Sequence, residues 1–290
     1  MVFDGGVRMR QLRPTRWFGH ADQQSAPGDL DDLRAKLKKT QRALRRSRRD
    51  LAEAEAQLTA ARSGLVLPDD VEKVLAGVRE ENLSYLNPTY LRTLALAVLD
   101  AERRGLPGAV VEAGTARGGS AIVMAAAKSA ARPMYVYDVF GMIPPPTDSD
   151  GTDVHRRYEK ITAGGAKGIG GSTYYGYRDD LYTEVQESFA RHGSPVESSS
   201  VELVKGLFAD TITLDEPVVL AHLDGDWYES TMTCLERLAP LIVPGGRIIL
   251  DDYYAWSGCR TAVDEYFEGR AGWRREERAK LHLVRETPGA

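Results

Sequence analysis

Apolar residues follow two patterns along the chain, and the first is a seven-residue repeat. Between residues 29 and 63, leucines recur at positions 30, 37, 44, 51 and 58. A narrow apolar seam with this period predicts one long helix that pairs with another helix in a coiled coil. We therefore expect residues 29–63 to form a coiled-coil helix that joins copies of the chain into a homo-oligomer.

The second pattern begins after residue 64 and predicts a sheet. Two helices are expected first, within residues 68–104. Short apolar runs then alternate with helical stretches, and these runs cover residues 109–112, 134–137, 201–204, 218–223 and 247–250. This order predicts an α/β fold with a doubly wound, mostly parallel sheet, preceded by the long helix. Ligands of such sheets bind beyond the carboxyl ends of the strands, so we expect functional residues directly after the runs.

Composition and charge narrow the range of partners. The 290 residues are 42% hydrophobic and 28% charged, and no apolar run approaches the roughly 20 residues that a membrane span needs. Two cysteines without nearby histidine pairs predict neither disulfides nor a zinc site, so we expect a cytoplasmic protein. Residues 1–63 contain 14 Lys and Arg against 8 Asp and Glu, whereas the remainder contains 24 against 34. The acidic remainder has the wrong charge for nucleic acid, and we expect no such partner.

The amino-terminal region carries most of the positive charge. Residues 1–28 lack a periodic pattern and are expected to be disordered. Nine basic residues and no acidic one lie between Arg34 and Arg49. In a DNA-binding basic zipper the basic region precedes the leucine repeat, whereas the two overlap here, so that interpretation is disfavoured. A solvated basic face and attraction to an acidic partner or an anionic lipid surface are the alternatives.

A glycine-rich turn follows the first apolar run, at residues 112–120, and leads into an alanine-rich helix. Glycines allow a tight turn, and a helix N-terminus presents free N–H groups to a cofactor. The spacing departs from G-x-G-x-x-G and, with an acid at Glu112, fits the turn of S-adenosylmethionine (SAM) enzymes better than a dinucleotide turn. Asp138 follows the second run, where a carboxylate can accept both hydroxyls of a ribose or simply cap a strand end.

Carboxylates follow the fourth and fifth runs. Asp224 and Asp226 come after one, and Asp251 and Asp252 come after the other. If those strands are neighbours, the acids converge at one edge of the sheet and repel one another unless a cation joins them. Oxygen ligands without cysteine or histidine favour a hard divalent ion such as Mg²⁺. For Asp226, capping of the following helix is an alternative.

These residues carry a family resemblance. The string at residues 223–231, followed by Pro-Gly-Gly at 244–246, Asp-Asp-Tyr at 251–253 and Gly-Cys-Arg at 258–260, resembles the macrocin O-methyltransferase family. Members methylate sugar hydroxyls of natural products with SAM and Mg²⁺. The resemblance covers about residues 107–267 and implies a class I SAM methyltransferase fold, which is Rossmann-like, within residues 68–290.

The resemblance also implies roles for individual residues. It assigns three metal ligands, Asp224, Asp251 and Asp252. We expect Asp224 also to be the catalytic residue that receives the proton of the acceptor. The implied SAM-binding residues lie in the glycine turn, after the second run and near the adenine, and they are Glu112, Gly114, Thr115, Arg117, Gly118, Gly119, Ser120, Asp138, Gly206, Phe208 and Asp210. His155 and His222 are further candidates for the general base.

One segment departs from the family pattern. Residues 144–178 contain three consecutive prolines, several glycines and the tyrosines Tyr174, Tyr175 and Tyr177, which suits either a lid over the substrate or a disordered insertion. The expected function is SAM- and metal-dependent methylation of a hydroxyl of a small molecule, a sugar of a glycosylated natural product. One alternative is an NAD-dependent oxidoreductase, which leaves the acidic cluster unexplained. The other is a non-catalytic scaffold of methyltransferase fold that works through its coiled coil.

Overall fold

The computed structural model describes residues 27–287, including part of the side chains of residues 27–63. Residues 1–26, which belong to the segment predicted to be disordered, lie outside this range. Internal contacts divide the chain into two units between Arg46 and Ser47. None of the described helices combines the length and apolar character that crossing a bilayer requires.

The first element is the long helix α1, Pro27–Ser63. It has no internal glycine or proline after its first turn, and Gly64 follows it with a φ of +63°, the left-handed conformation that ends many helices. The helix therefore matches the predicted 29–63 closely. Its described seam leucines are 45–60% exposed, so their pairing with another helix remains a prediction.

Eight further helices and seven strands follow. The helices are α2 Asp69–Glu80, α3 Pro88–Arg103, α4 Gly119–Ala127, α5 Thr152–Thr162, α6 Leu181–Arg191, α7 Phe208–Thr211, α8 Tyr228–Leu238 and α9 Ser257–Phe267. The strands are β1 Ala109–Ala113, β2 Met134–Asp138, β3 Val201–Lys205, β4 Val218–Leu223, β5 Ile242–Leu250, β6 Trp273–Glu277 and β7 Leu281–Arg285.

The strands form one sheet in the order β3-β2-β1-β4-β5-β7-β6. Strands β1 to β5 pair in parallel, and β7 is antiparallel to both of its neighbours, β5 and β6. Hydrophobic cores cover both faces, one built with α2, α3, α4 and α6 and the other with α8 and α9. This confirms the predicted α/β fold with a doubly wound, mostly parallel sheet.

The register of the central strands decides where their ends lie. Ala113 of β1 pairs with Leu223 of β4, which pairs with Leu250 of β5. The strand order reverses between β1 and β4, and a crevice forms at such a switch point. The residues that follow these three strands therefore stand side by side at one edge of the sheet.

Two features differ from the sequence prediction. The hairpin of β6 and β7 was not expected, because β6 is mostly polar and its strand character comes from pairing with β7. The first helix, predicted over residues 68–86, ends earlier, at Glu80, and residues 81–87 form an irregular connection in which Asn82 has a φ of +55°. Asn87 then caps α3, its side chain accepting the N–H of Tyr90 at 3.0 Å.

Candidate active site

Gly114, Asp224 and Asp251 occupy one row directly beyond β1, β4 and β5. The Asp224 N–H donates to the carbonyl of Ala113 at 2.9 Å, and the Asp251 N–H donates to that of Leu223 at 2.9 Å. Gly114 has a φ of +90°, and a Cβ there would lie 2.0 Å from the Asp224 carbonyl oxygen. Only glycine fits this position, which joins the glycine turn to the first acid.

A cavity of about 800 Å³ opens at this edge of the sheet. Most of its wall consists of residues that follow strands. The residues with predicted roles that line it are Gly114, Thr115, Ser120, Asp138, Phe208, Asp224, Asp251 and Asp252. The structure thus brings the predicted cofactor turn and the predicted acidic cluster into one cavity.

Six residues predicted to bind the cofactor do not line this cavity, and they are Glu112, Arg117, Gly118, Gly119, Gly206 and Asp210. Several of them shape the turn instead. Gly118 caps α4 with a φ of +85°, the N–H of Gly119 donates to the Leu83 carbonyl at 3.1 Å, and Arg117 donates to the Asn82 carbonyl at 2.9 Å. These contacts support the turn from outside the cavity.

Glu112 is fully buried behind the turn. One carboxylate oxygen accepts the hydroxyl of Thr115 at 2.8 Å, and the other lies 2.8 Å from Nδ1 of His222. Burial alone would lower the pKa of His222, but the carboxylates of Asp251 and Glu112 outweigh it and raise this pKa to about 9. Neither His222 nor His155 lines the cavity, so the geometry does not support either as the general base.

Asp138 closes the glycine turn from the neighbouring strand. Its Oδ2 accepts the N–H groups of Thr115 at 2.7 Å and Ala116 at 3.0 Å, and its Oδ1 accepts that of Phe140 at 2.7 Å. Burial raises its pKa, while these three donors oppose the shift. A carboxylate has about four acceptor positions, so one remains for a ligand in the cavity.

Asp224, Asp226 and Asp252 form an acidic cluster. One oxygen atom from each of the three carboxylates lies within 4.8 Å of the others. Burial and the charges of the neighbouring aspartates raise the pKa values of Asp224 and Asp226 well above their usual range, and that of Asp252 to about 6. Three oxygen donors at this spacing fit a hard divalent cation, which would remove their mutual repulsion.

Asp251 lies outside this cluster, although it was predicted to be a metal ligand. Its carboxylate lies 2.6 Å from Nζ of Lys280 and 3.6 Å from Nε2 of His222. Burial would raise its pKa, but the Lys280 and His222 charges hold it below its usual range. The structure therefore groups Asp226 with Asp224 and Asp252, whereas the turn between β6 and β7 brings a lysine to Asp251. Metal binding by Asp251 stays a prediction.

Residues 144–178 contain α5 and two short 3-10 turns, and they form one wall of the cavity. Trp227 donates its Nε1–H to the Pro144 carbonyl at 2.9 Å and packs against Trp256. Tyr174 is 2% exposed, with its ring centroid 4.3 Å from that of Tyr175. The segment is thus folded against the site rather than a disordered insertion, and its opening and closing remain a prediction.

Sequence reasoning missed several residues of the cavity wall. The connection between α2 and α3 contributes Ser84, Tyr85 and Asn87, α5 contributes Arg157, and the β6–β7 turn contributes Lys280. Pro88 with its capping Asn87 marks the start of α3 in the sequence. Nothing local marks the other residues as parts of a site, because distant segments bring them there.

Comparison with known proteins gives a consistent family assignment. A model of the macrocin O-methyltransferase family matches residues 80–271. The chain is 37% identical over 175 residues, 58% of its length, to the 8-demethyl-8-(2,3-dimethoxy-alpha-L-rhamnosyl)-tetracenomycin-C 4'-O-methyltransferase of Streptomyces olivaceus. It is 32% identical over 190 residues, 61% of its length, to the mycinamicin III 3''-O-methyltransferase of Micromonospora griseorubida.

These alignments span 60% and 66% of the two relatives' own lengths. Among solved structures, the O-methyltransferase NovP superimposes with a TM-score of 0.59 at 24% identity, covering 81% of this chain and all of that one. This structural similarity supports the fold.

Proposed function

Because this chain belongs to the macrocin O-methyltransferase family, we propose that it transfers a methyl group from SAM to a hydroxyl of a small molecule. The observation that carries the proposal is the row formed by Gly114, Asp224 and Asp251. It puts a cofactor-type glycine turn beside an acidic cluster in a single cavity.

The glycine turn, Asp138 and Phe208 line the side of the cavity that we propose for the cofactor. We propose that Gly114 lets the ligand approach the main chain, that Asp138 offers its remaining acceptor position to a ribose hydroxyl, and that Phe208 covers the adenine. SAM would supply an electrophilic methyl group on a positively charged sulfur. The residues around it hold the methyl group close to the acceptor oxygen, which converts the reaction into a positioned displacement.

The acidic cluster would hold a divalent metal such as Mg²⁺. Asp224 and Asp252 belong both to the predicted ligand set and to the observed cluster, so we propose them as ligands. Asp226 is better placed than Asp251 for the third position, because the Asp251 carboxylate is paired with Lys280. Such an ion would lower the pKa of a bound hydroxyl and fix its orientation.

Asp224 is our candidate for the proton acceptor. It lies beside Gly114 of the glycine turn and lines the cavity together with the other acids. We propose that its carboxylate takes the proton of the acceptor hydroxyl as the bond between the methyl carbon and the acceptor oxygen forms. The carbon–sulfur bond of SAM would break in the same step and release S-adenosylhomocysteine. No histidine is required for this step.

The acceptor we propose is a sugar hydroxyl of a glycosylated natural product. The relative from Streptomyces olivaceus is named for a rhamnosyl-bearing compound. Tyr85, Tyr175, Trp227 and Trp256 line the cavity, and aromatic side chains are common in pockets for rings. A SAM-consumption assay against glycosylated and phenolic natural products, with and without Mg²⁺, tests this proposal.

The binding of cofactors can be tested without knowing the acceptor. In titration calorimetry with the full chain, we expect SAM to bind and NAD not to bind. Binding of NAD alone would favour the oxidoreductase, and binding of neither would favour the scaffold. Metal-independent turnover would refute the role of the acidic cluster.

We also propose that α1 joins copies of the chain into a homo-oligomer. The described seam leucines are about half exposed, which is costly for a helix that remains single in water. Replacing Leu37 and Leu44 by Glu should reduce the mass measured by light scattering to that of a monomer, without changing the affinity for SAM. An unchanged mass would contradict this role for α1.

A further inference from the structure

The cavity wall contains one cation whose role the proposed reaction does not explain. Arg157 of α5 lines the cavity. Within residues 27–287, no carboxylate oxygen lies within 4.0 Å of its guanidinium, whereas Arg178, in the same part of the chain, has Glu184 at 2.6 Å. Lys280, the other cation of the cavity wall, is paired with Asp251. Arg157 is therefore the cavity cation that is available to a ligand.

Aromatic packing holds the Arg157 side chain in place. Its Cζ lies 5.7 Å from the centroid of the buried Tyr174 ring. From there a series of rings leads outward, because Tyr174 contacts Tyr175, and the Tyr175 centroid lies 6.2 Å from that of Tyr85, which is 51% exposed. A cation above a ring is positioned without using its N–H donors, so the donors remain free for hydrogen bonds.

The charges of the cavity restrict where an anionic ligand group can lie. The acidic cluster of Asp224, Asp226 and Asp252 repels an anion when no metal neutralises its charge. Arg157 and the exposed Tyr85 line the same cavity as these three acids. An anionic group next to Arg157 would leave a hydroxyl of the same molecule free to reach Asp224.

We propose that Arg157 selects the acceptor by binding an anionic oxygen group, a phosphate or a carboxylate, that the acceptor carries in addition to the hydroxyl that is methylated. The planar guanidinium can donate two parallel hydrogen bonds to either group. The apolar side chains of Ile143 and Ile161 line the same cavity and strengthen such a contact by excluding water. This inference rests on the proposed function, since it concerns the same cavity.

The test compares three matched sugars in titration calorimetry with the full chain saturated with S-adenosylhomocysteine (SAH). The probes are 4-nitrophenyl glucoside, its 6-carboxylate and its 6-phosphate. We expect at least one charged probe to bind about 10-fold more tightly than the neutral one, as charge-assisted hydrogen bonds predict. Preference for one of the two charged probes identifies the source of the anionic group.

Two variants of Arg157 and one control complete the experiment. Arg157→Gln should bring the affinities for charged and neutral probes to within about twofold of each other, and Arg157→Lys should retain part of the preference. Arg156→Gln is the matched control, because Arg156 is the exposed neighbour in α5 and does not line the cavity. It should behave like the wild type.

Each other outcome is decisive. Equal binding of the three probes by the wild type, or an unchanged preference in Arg157→Gln, would refute the inference. A lower affinity for SAH in Arg157→Gln, with the probe preference intact, would show that Arg157 binds the cofactor carboxylate instead. Failure of the wild type to bind SAH would refute the proposed function itself, so the two failures are distinguishable.

Discussion

Two groups of buried acids stand at the same edge of the sheet, and their surroundings are opposite. Asp138, on the cofactor side, accepts hydrogen bonds from three backbone N–H groups. On the other side, Asp224, Asp226 and Asp252 face one another, and the N–H of Asp226 is the backbone donor that reaches Asp252, at 3.2 Å. The first acid has three backbone donors, whereas the other three have fewer donors and lie close to one another.

This difference explains what each side can bind. A carboxylate with its own donors is fixed in place and can present a spare lone pair to a neutral hydroxyl. Carboxylates that have mainly each other remain protonated or bind a cation, because uncompensated buried charge is costly. A buried carboxylate is therefore not by itself evidence for a metal site. The number of hydrogen-bond donors around each carboxylate separates the two cases.

The largest expected effect comes from the acidic cluster. Asp252→Asn removes one of the proposed ligands, so methyl transfer should fall by about 100-fold or more, since a catalytic metal contributes several kcal/mol. Mn²⁺ affinity should fall with it, while calorimetry should show unchanged SAH affinity. Asp148→Asn, at an exposed acid, is the control. Normal turnover and normal Mn²⁺ binding in Asp252→Asn would contradict the proposal that the acidic cluster binds a catalytic metal.

Gly114 packs against Asp224 where the two sides meet, and a substitution there should have nearly as large an effect. Gly114→Ala forces a Cβ against the Asp224 carbonyl, and we expect it to destabilise the protein by about 3 kcal/mol or more in urea unfolding. Gly164→Ala has a similar φ of +73° and open space around the added Cβ, so it measures the backbone strain alone. Equal losses in the two variants would mean that the close approach to Asp224 contributes nothing.

A smaller effect is expected on the cofactor side. Asp138→Asn replaces one acceptor oxygen by a donor and leaves at least one N–H of the turn without a partner. We expect SAH affinity to fall by about 10-fold and stability by about 2 kcal/mol, with Mn²⁺ affinity unchanged. Calorimetry and thermal unfolding measure both. Loss of Mn²⁺ binding in this variant would show that the two sides depend on each other.

The smallest effect is a pH dependence of the protein without metal. The pKa of Asp252 is about 6 in the folded protein, above its usual value, so the folded state holds more protons between about pH 4 and 6. Stability should therefore fall by about 1.4 kcal/mol between pH 5 and 7.5, with most of the loss below about pH 6. Thermal unfolding in EDTA between pH 5 and 7.5 measures this loss.

Mn²⁺ should abolish that pH dependence, and Asp252→Asn, which removes one of the titrating carboxylates, should reduce it. A stability that rises with pH in EDTA would contradict the assignment of repulsion to the acidic cluster. It would indicate instead that these acids have stabilising partners, as Asp138 has.

The sequence by itself determined the elements with strong local periodicity and the residues at their ends. The seam of α1 follows from leucines seven positions apart, and the parallel strands follow from apolar runs that alternate with helical stretches. The positions of Gly114, Asp138 and Asp224 at strand ends were predictable for the same reason, since ligand sites in such sheets lie beyond the strands. These signals are local or depend only on the order of elements.

Tertiary structure alone decided which charges meet. Antiparallel pairing of Leu250 with Leu281 brings Lys280 to Asp251, and this removes one acid from the cluster and leaves Asp226 with Asp224 and Asp252. In the same way, folding of α5 against the site carries Arg157 into the cavity wall. The physical reason is that a side chain's charge is visible in the sequence, while its partners depend on contacts between segments that are far apart along the chain.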